Sequence, residues 1–288
     1  MNIQWKNNRT IQMMMNNRTG VKAVIFDWAG TTVDYGCMAP AKVFVDVFSS
    51  RNIYISIAEA RGPMGLSKRD HVKELLKLSS VREQWLKHYG KDPSPEDEEN
   101  IYRDIEPSMA AIAGEYAKPI DGAVDTLKEL QKSGIRVGTT TGYVEPIMKH
   151  VTQAAASYGF MPDAVVTSSD VKTGRPAPYM CYLNALILDV FPLSQMIKVG
   201  DTVADILEGI NAGMWTIGLT LSGNEIGLTE EETESLGISD LKSRLSAAEK
   251  RFKDAGAHYV AEGIWDCLPI IDQIHGRIMN GEHPAESY

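Results

Sequence analysis

The residues in this chain that can do chemistry sit where apolar runs stop. Val21-Lys22-Ala23-Val24-Ile25-Phe26 ends in Asp27, followed by Trp28-Ala29-Gly30-Thr31-Thr32. A short run rich in β-branched residues that breaks this abruptly reads as a buried strand delivering a carboxylate into a turn. Val137-Gly138-Thr139-Thr140-Thr141-Gly142-Tyr143 ends in a hydroxyl and then a glycine. Thr141 can donate to a phosphoryl oxygen, and Gly142 lets backbone N–H groups approach closely. Lys172-Thr173-Gly174-Arg175-Pro176 puts a cation in a loop before a helix, and Arg175 offers several fixed donors to a phosphoryl oxygen. Ile197-Lys198-Val199-Gly200-Asp201 ends in a second carboxylate, with Asp205 one helical turn on. Asp27 and Asp201 can share one Mg²⁺ per subunit, an ion that takes oxygen ligands. The Ala29 backbone carbonyl can supply a further ligand, and Asp205 would orient Asp201 or a metal-bound water. Each signal alone is weak, since a Gly-Asp after a strand is often a helix cap. The ordered set of carboxylate, hydroxyl, cation and carboxylate predicts one site.

Such a set needs a sheet to hold it. Strand-like runs recur at 21–26, 135–140, 164–167, 196–199, 215–219 and 258–260. Amphipathic segments lie between them near 121–133, 145–158, 178–189 and 203–212. This alternation predicts an α/β fold with a parallel sheet covered by helices on both faces. Ligands of open α/β sheets bind in the crevice outside the carboxyl ends of the strands. The stretch between the first two strands is mostly helical and far longer than a crossover requires. It predicts an inserted helical domain over 40–118, with the core formed by 21–39 and 119–288. Inside the insertion, Ser94-Pro95-Glu96-Asp97 reads as a capped helix start rather than an acidic binding patch. Trp85, Tyr89 and Tyr102 read as its packing rather than as a stacking platform.

With 288 residues, 43% of them hydrophobic, the chain can bury a substantial core. The net charge of −9 argues against a nucleic-acid or anionic-membrane partner and leaves a small anionic substrate open. Cys37, Cys181 and Cys267 are odd in number and far apart, which predicts a reduced, cytoplasmic protein without disulfides. No apolar run approaches membrane-spanning length. Residues 1–20 carry Asn-Asn-Arg-Thr twice around Met13-Met14-Met15. They read as a poorly ordered extension whose apolar part is too short for a signal peptide, the alternative being a targeting or docking arm.

From about residue 21 onward the motifs resemble those of the haloacid dehalogenase superfamily. Asp27-Trp28-Ala29-Gly30-Thr31 is similar to its nucleophile motif, Asp-x-Asp-Gly-Thr, and Thr141, Arg175 and Asp201 match its other three. The resemblance implies a Rossmann-like core in which Asp27 attacks phosphorus. There are two departures: Arg175 replaces the usual Lys, and Ala29 replaces the second Asp, a general acid/base. Cleaving a P–O bond leaves an alkoxide that needs a proton, and Ala29 cannot supply one. Three readings remain: an inactive phosphoryl-ligand-binding protein, a dehalogenase-type hydrolase that attacks carbon and expels halide, or a leaving group stabilised another way.

The insertion offers a candidate for the third. Ala60-Arg61-Gly62-Pro63-Met64-Gly65-Leu66-Ser67-Lys68-Arg69-Asp70-His71 is a turn-rich segment leading into a helix on which Lys68 and His71 share a face. A lysine with a lowered pKa in a partly dry site can form a Schiff base with a carbonyl, although an arbitrary lysine is ordinarily a solvated surface cation. Residues 27–37 and 61–71 resemble the phosphonoacetaldehyde hydrolase, or phosphonatase, family. So do Thr141-Gly142-Tyr143, Gly174-Arg175-Pro176 and Gly200-Asp201-Thr202. The resemblance implies a helical cap, Mg²⁺, a homodimer and hydrolysis of phosphonoacetaldehyde in phosphonate degradation. It implies that Lys68 carries the Schiff base and that Cys37, Met64, His71 and Tyr143 line the substrate pocket. An iminium would accept the C–P electrons, so no alkoxide forms and no acid is needed at Ala29.

Overall fold

The computed structural model describes residues 20–284. Apart from Gly20, the expected N-terminal extension lies outside the described residues. Six strands form one sheet: β1 (Ala23–Phe26), β2 (Arg136–Thr141), β3 (Ala164–Thr167), β4 (Met196–Gly200), β5 (Trp215–Leu219) and β6 (Tyr259–Ala261). The order is β3-β2-β1-β4-β5-β6 and every pair is parallel. β1 is buried along its whole length, as a central parallel strand must be, which is why it reads as an unbroken apolar run. Phe26 is in register with Thr139 on one side and Val199 on the other. That register brings Asp27, Thr141 and Asp201 to one edge of the sheet. The chain lays β2 and β3 outward on one side of β1, then returns to place β4 on the other. The carboxyl ends of β1 and β4 therefore form a topological switch point, where a crevice opens.

Six helices separate β1 from β2, and the first five belong to the insertion: α1 (Met38–Ser49), α2 (Ile57–Arg61), α3 (Lys68–Lys77), α4 (Ser79–Tyr89) and α5 (Pro95–Ala113). α5 begins as its sequence predicts. Ser94 Oγ accepts from the Asp97 N–H, the Asp97 carboxylate accepts from the Ser94 N–H at 2.9 Å, and Pro95 occupies the first turn. Ile101, Ile105, Met109 and Ala113 form its buried stripe, and α5 packs on α7 (Glu145–Ser157). Trp85 is buried with them and Tyr89 is largely exposed. One apolar cluster runs from Val24 and Phe26 in the sheet to Phe44, Leu75, Trp85 and Ile101 among these helices.

The remaining helices are α6 (Ala123–Lys132), α8 (Tyr179–Leu188), α9 (Val203–Asn211), α10 (Glu230–Ser235), α11 (Ile238–Asp254) and α12 (Cys267–Met279). α6 to α9 fall where the amphipathic segments predict them. α10 to α12 were not anticipated. α11 buries only Ala248 and Phe252, so its sequence shows almost no apolar stripe. The Cys267, Ile271, Ile274 and Ile278 stripe of α12 is legible, and the sequence reading passed over it. The three cysteines are free and buried. Among the described residues no helix is long and apolar enough to cross a membrane.

Candidate active site

Asp27 lies one residue past β1, and its N–H donates to the Val199 carbonyl at 2.9 Å, so the sheet ladder itself aims it. Asp201 lies one residue past β4. Its Oδ2 accepts from the Asn224 N–H (2.8 Å) and the Cys37 thiol (3.1 Å), and its Oδ1 from the Thr31 hydroxyl (3.2 Å). Carboxylate oxygens of Asp27, Asp201 and Asp205 all lie within 4.8 Å of one another, and all three residues are buried. Burial pushes Asp27 above its ordinary range against the pull of Arg175. Burial, then the charge of Asp27, pushes Asp201 up to about 8.

Arg175 organises the other side of this cluster. Its Nη2 donates to Asp27 Oδ1 (2.7 Å) and to the carbonyl and hydroxyl of Thr140 (2.9 and 2.7 Å). Its Nε donates to Glu208 (2.9 Å), and Nη1 pairs with Asp205 (3.0 Å). The sequence reading gave Arg175 to a phosphoryl oxygen. Here all three of its nitrogens face protein acceptors, and one of them holds Asp27. Lys198, fully buried in β4, pairs with Asp205 at 2.6 Å and faces Glu208 at 3.7 Å. Burial raises Asp205, but Arg175, Lys198 and Thr202 outweigh it and hold the carboxylate below its ordinary range. Lys198 and Glu208 were missed. Their signal was a lysine between Ile197 and Val199 in a buried strand, and an acid on the buried face of α9 next to Asp205.

The donor set fits a divalent ion. Asp27, Asp201, Asp205 and Glu208 place four buried carboxylates against the two cations Arg175 and Lys198. Every candidate ligand is a hard oxygen. Asp205 commits its oxygens to Arg175, Lys198 and Thr202. Asp27, Asp201 and the Ala29 carbonyl are the atoms left to hold an ion. The Cys37 thiol bridges two of these positions, meeting the Ala29 carbonyl at 3.0 Å.

The helical insertion supplies the opposite wall. Ser67 caps α3 by accepting from the Asp70 N–H (3.2 Å), and Lys68 is the next residue. Lys68 is 4% exposed, and among the described residues its amine makes no hydrogen bond or ion pair. It lies 4.9 Å from the Tyr143 ring centroid and 5.7 Å from that of Phe44. Burial lowers its pKa to about 8, with the fields of Cys37 and Asp27 opposing. Gly142 is what lets the end of β2 reach this wall, since a side chain there would collide with the Leu66 carbonyl.

Asp27, Ala29, Thr141, Gly142 and Asp201 surround one cavity with Lys68. Cys37, Met64, Tyr143 and Arg175 also line it. His71 and Asp205 do not. His71 lies behind the wall, stacked on Phe44 at 3.7 Å, with Nε2 donating to the Ala60 carbonyl at 2.8 Å and Nδ1 without a partner. Burial, then the neighbouring Lys68, holds this ring well below an ordinary histidine pKa, so it is neutral. Asp34, also missed by the sequence reading, caps α1 by accepting from the Met38 and Ala39 N–H groups (3.0 and 3.1 Å). Burial raises its pKa to about 7.

A doubly wound sheet with a carboxylate at each of two adjacent strand ends is the architecture of the haloacid dehalogenase-like hydrolases, whose family model matches residues 21–213. A phosphonoacetaldehyde hydrolase of Syntrophobacter fumaroxidans is 48% identical over 264 residues, 92% of this chain and 95% of that protein. A bifunctional phosphonoacetaldehyde hydrolase/aminoethylphosphonate transaminase of Clostridioides difficile is 43% identical over 93% of this chain and 42% of its own length. The crystal structure of a phosphonoacetaldehyde hydrolase-like protein from Oleispira antarctica superposes with a TM-score of 0.90 at 38% identity, covering 92% of this chain and 96% of that one. The chain belongs to the phosphonoacetaldehyde hydrolase family.

Proposed function

We propose that this enzyme hydrolyses the C–P bond of phosphonoacetaldehyde to acetaldehyde and phosphate. The observation that carries the reading is the unpaired, buried Lys68 amine facing the same cavity as Asp27, where Ala29 offers no acid. A lysine with its pKa near 8 keeps a reactive fraction of neutral amine near neutral pH, which an ordinary lysine does not. The amine adds to the aldehyde carbon and water leaves, giving an iminium. An Asp27 oxygen attacks phosphorus, the C–P bond breaks, and its electron pair moves into the iminium to form an enamine. One water hydrolyses the aspartyl phosphate and another the protonated enamine, so the balance consumes a single water. No alkoxide is produced. Arg175 aims Asp27 and favours its ionised form against burial, and Thr141 with the Gly142 N–H would face the phosphonate oxygens. In this reading His71, neutral and near enough to feel the charge of Lys68, supports proton movement during imine formation from behind the cavity wall. Asp27, Asp201 and the Ala29 carbonyl would hold Mg²⁺, which when bound offsets the repulsion between carboxylate and phosphonate.

Residues 40–118 act as a mobile cap in this reading. The cavity between the two walls is about 30 Å³, room for roughly two waters. Substrate entry therefore requires the Lys68 wall to move, and closure assembles the site and excludes water. The homodimer is supported by an exposed apolar face on α8, where Tyr179, Tyr182, Leu186 and Ile187 continue into Phe191. The free cysteines suit a reducing cytoplasm. The relative that joins this activity to an aminoethylphosphonate transaminase supports a place in phosphonate degradation. The test is phosphate release from phosphonoacetaldehyde with and without Mg²⁺, coupled to borohydride trapping. Release with a reduced adduct on Lys68 is expected. No release, or an adduct confined to other lysines, refutes the reading.

A further inference from the structure

The loop after β5 carries no nucleophile and no proposed metal ligand, yet it touches both walls of the site. Residues 222–228 pass directly beside Asp201. The Asn224 N–H donates to Asp201 Oδ2 at 2.8 Å, and the Ser222 hydroxyl donates to the Gly30 carbonyl at 2.9 Å, next to Ala29. On its other side the loop meets Arg61, the last residue of α2, in the segment that leads to Met64 and Lys68. Arg61 Nη1 donates to the Gly36 carbonyl (2.6 Å) and to Asn224 Oδ1 (3.3 Å), and Asn224 Nδ2 donates back to the Arg61 carbonyl (3.4 Å). Gly227 closes the loop over the guanidinium. Its φ is +64°, and a Cβ there would lie 2.7 Å from Arg61 Nε. Arg61 is 9% exposed; its Nη2 donates to the Met38 sulfur (3.3 Å), and Nε has no partner.

We propose that Arg61 and Asn224 form a tie through which the seating of the Lys68-bearing segment fixes Asp201 for metal binding. The inference rests on the reading of Asp201 as a metal ligand. Asn224 is the hinge of the argument, because its side chain reads Arg61 while its own N–H holds the Asp201 carboxylate. When the segment swings away, the loop loses the guanidinium and both side-chain bonds. The donor on Oδ2 then loses its fixed position. Both are positioning residues, since each acts on the ion only through Asp201. Groups that orient a ligand in this way typically change metal affinity by about 10–100-fold. In the assembled state the tie therefore couples the two halves of the chemistry.

The experiment measures Mn²⁺ binding to the full chain by electron paramagnetic resonance, with Mg²⁺ as competitor. The proteins are the parent, Asn224→Ala, Arg61→Ala and the double variant. Asn224→Ala keeps the N–H on Asp201 and removes only the contacts to Arg61. Each single variant is expected to bind Mn²⁺ about tenfold more weakly. The double variant should be no weaker than the weaker single, because both changes break one tie. Parent-like affinity in Asn224→Ala, or losses that multiply in the double variant, overturns the proposal. A lowered melting temperature in excess chelator with unchanged Mn²⁺ affinity also overturns it, since that is a purely structural role. If Arg61→Ala does not fold, Arg61→Lys takes its place: it keeps the charge but cannot span Gly36 and Asn224 together. A parent that binds no Mn²⁺ sinks the metal reading and the tie together, whereas a binding parent with indifferent variants sinks the tie alone.

Discussion

Replacing Lys68 with Met should abolish turnover and make the protein more stable at neutral pH. The amine titrates near 8 in the folded chain, against an ordinary value of 10.5, because burial penalises its charge. The unfolded chain keeps its proton up to the higher value. At about 1.36 kcal/mol per pH unit, folding a protonated Lys68 at pH 7 costs roughly 3 kcal/mol. Met fills similar volume without charge, which removes that penalty at little loss of packing. The expected gain is about 2–3 kcal/mol, or roughly 5–10 °C in Tm for a chain of this size. The sign fixes the pH dependence. Between 8 and 10.5 the unfolded parent binds more protons than the folded parent, so parent stability from this group rises with pH. The advantage of Lys68→Met is therefore full below pH 8 and fades towards 10.5. Differential scanning calorimetry of both proteins in chelator, from pH 6.5 to 10, reads this directly. A variant that melts at or below the parent at pH 7, or a gap that does not change with pH, would refute the account of Lys68 as an unpaired buried amine.

Three further outcomes follow from the same cluster. Asp27→Asn should retain the parent's circular dichroism and lose essentially all phosphate release, because an amide is a poor nucleophile; near-parent turnover would remove Asp27 from that role. Excess chelator should abolish turnover and Mg²⁺ restore it, while full activity in chelator would favour a dehalogenase-type chemistry instead. Glu208→Ala leaves Arg175 Nε and the Thr140 hydroxyl without their shared acceptor. It should cost about 3–5 kcal/mol in urea unfolding, the usual penalty for breaking a buried ion pair from one side, and a loss below 1 kcal/mol would show that the network relaxes around the gap.

The parts of the site legible in the sequence are those whose neighbours are local. Asp27, Thr141 and Asp201 announce themselves because an apolar run must end where a polar group begins, and a parallel sheet brings such ends together. The six strands and α6 to α9 were readable for the same reason: their periodicity is written into contiguous residues. Arg175 was readable as a cation in a loop but not as a cation whose nitrogens face Asp27, Glu208, Asp205 and Thr140. That pattern depends on how β1, β2 and α9 meet, which no local window contains. His71 shows the converse limit. Sharing a helical face with Lys68 is true of its spacing, yet that face is deep enough to set the ring against Phe44 and behind the cavity wall. Asn224 carried no local signal, because its N–H on Asp201 is a group any residue possesses and its side chain meets Arg61, far away in the sequence.

Two buried lysines show how environment separates roles for one residue type. Lys198 sits in the centre of β4 with Asp205 at 2.6 Å and Glu208 at 3.7 Å, so its charge is matched by carboxylates on α9. An amine so paired serves as a fixed counterion for the cluster that aims Asp27. Lys68 is also buried, but its amine lies against aromatic rings and pairs with no carboxylate among the described residues. With desolvation uncompensated by any ion pair, its neutral form becomes accessible near pH 8. The division is not interchangeable. An ion-paired Lys68 would hold its proton and could not add to a carbonyl, and an unpaired Lys198 would leave Asp205 and Glu208 short of positive charge. Ala29 belongs to the same logic. A carboxylate at that position, beside Asp27 and Asp201, would add negative charge within reach of the amine and favour its protonated form. Its absence removes an acid the proposed C–P chemistry does not use and keeps the field at Lys68 compatible with a neutral nucleophile.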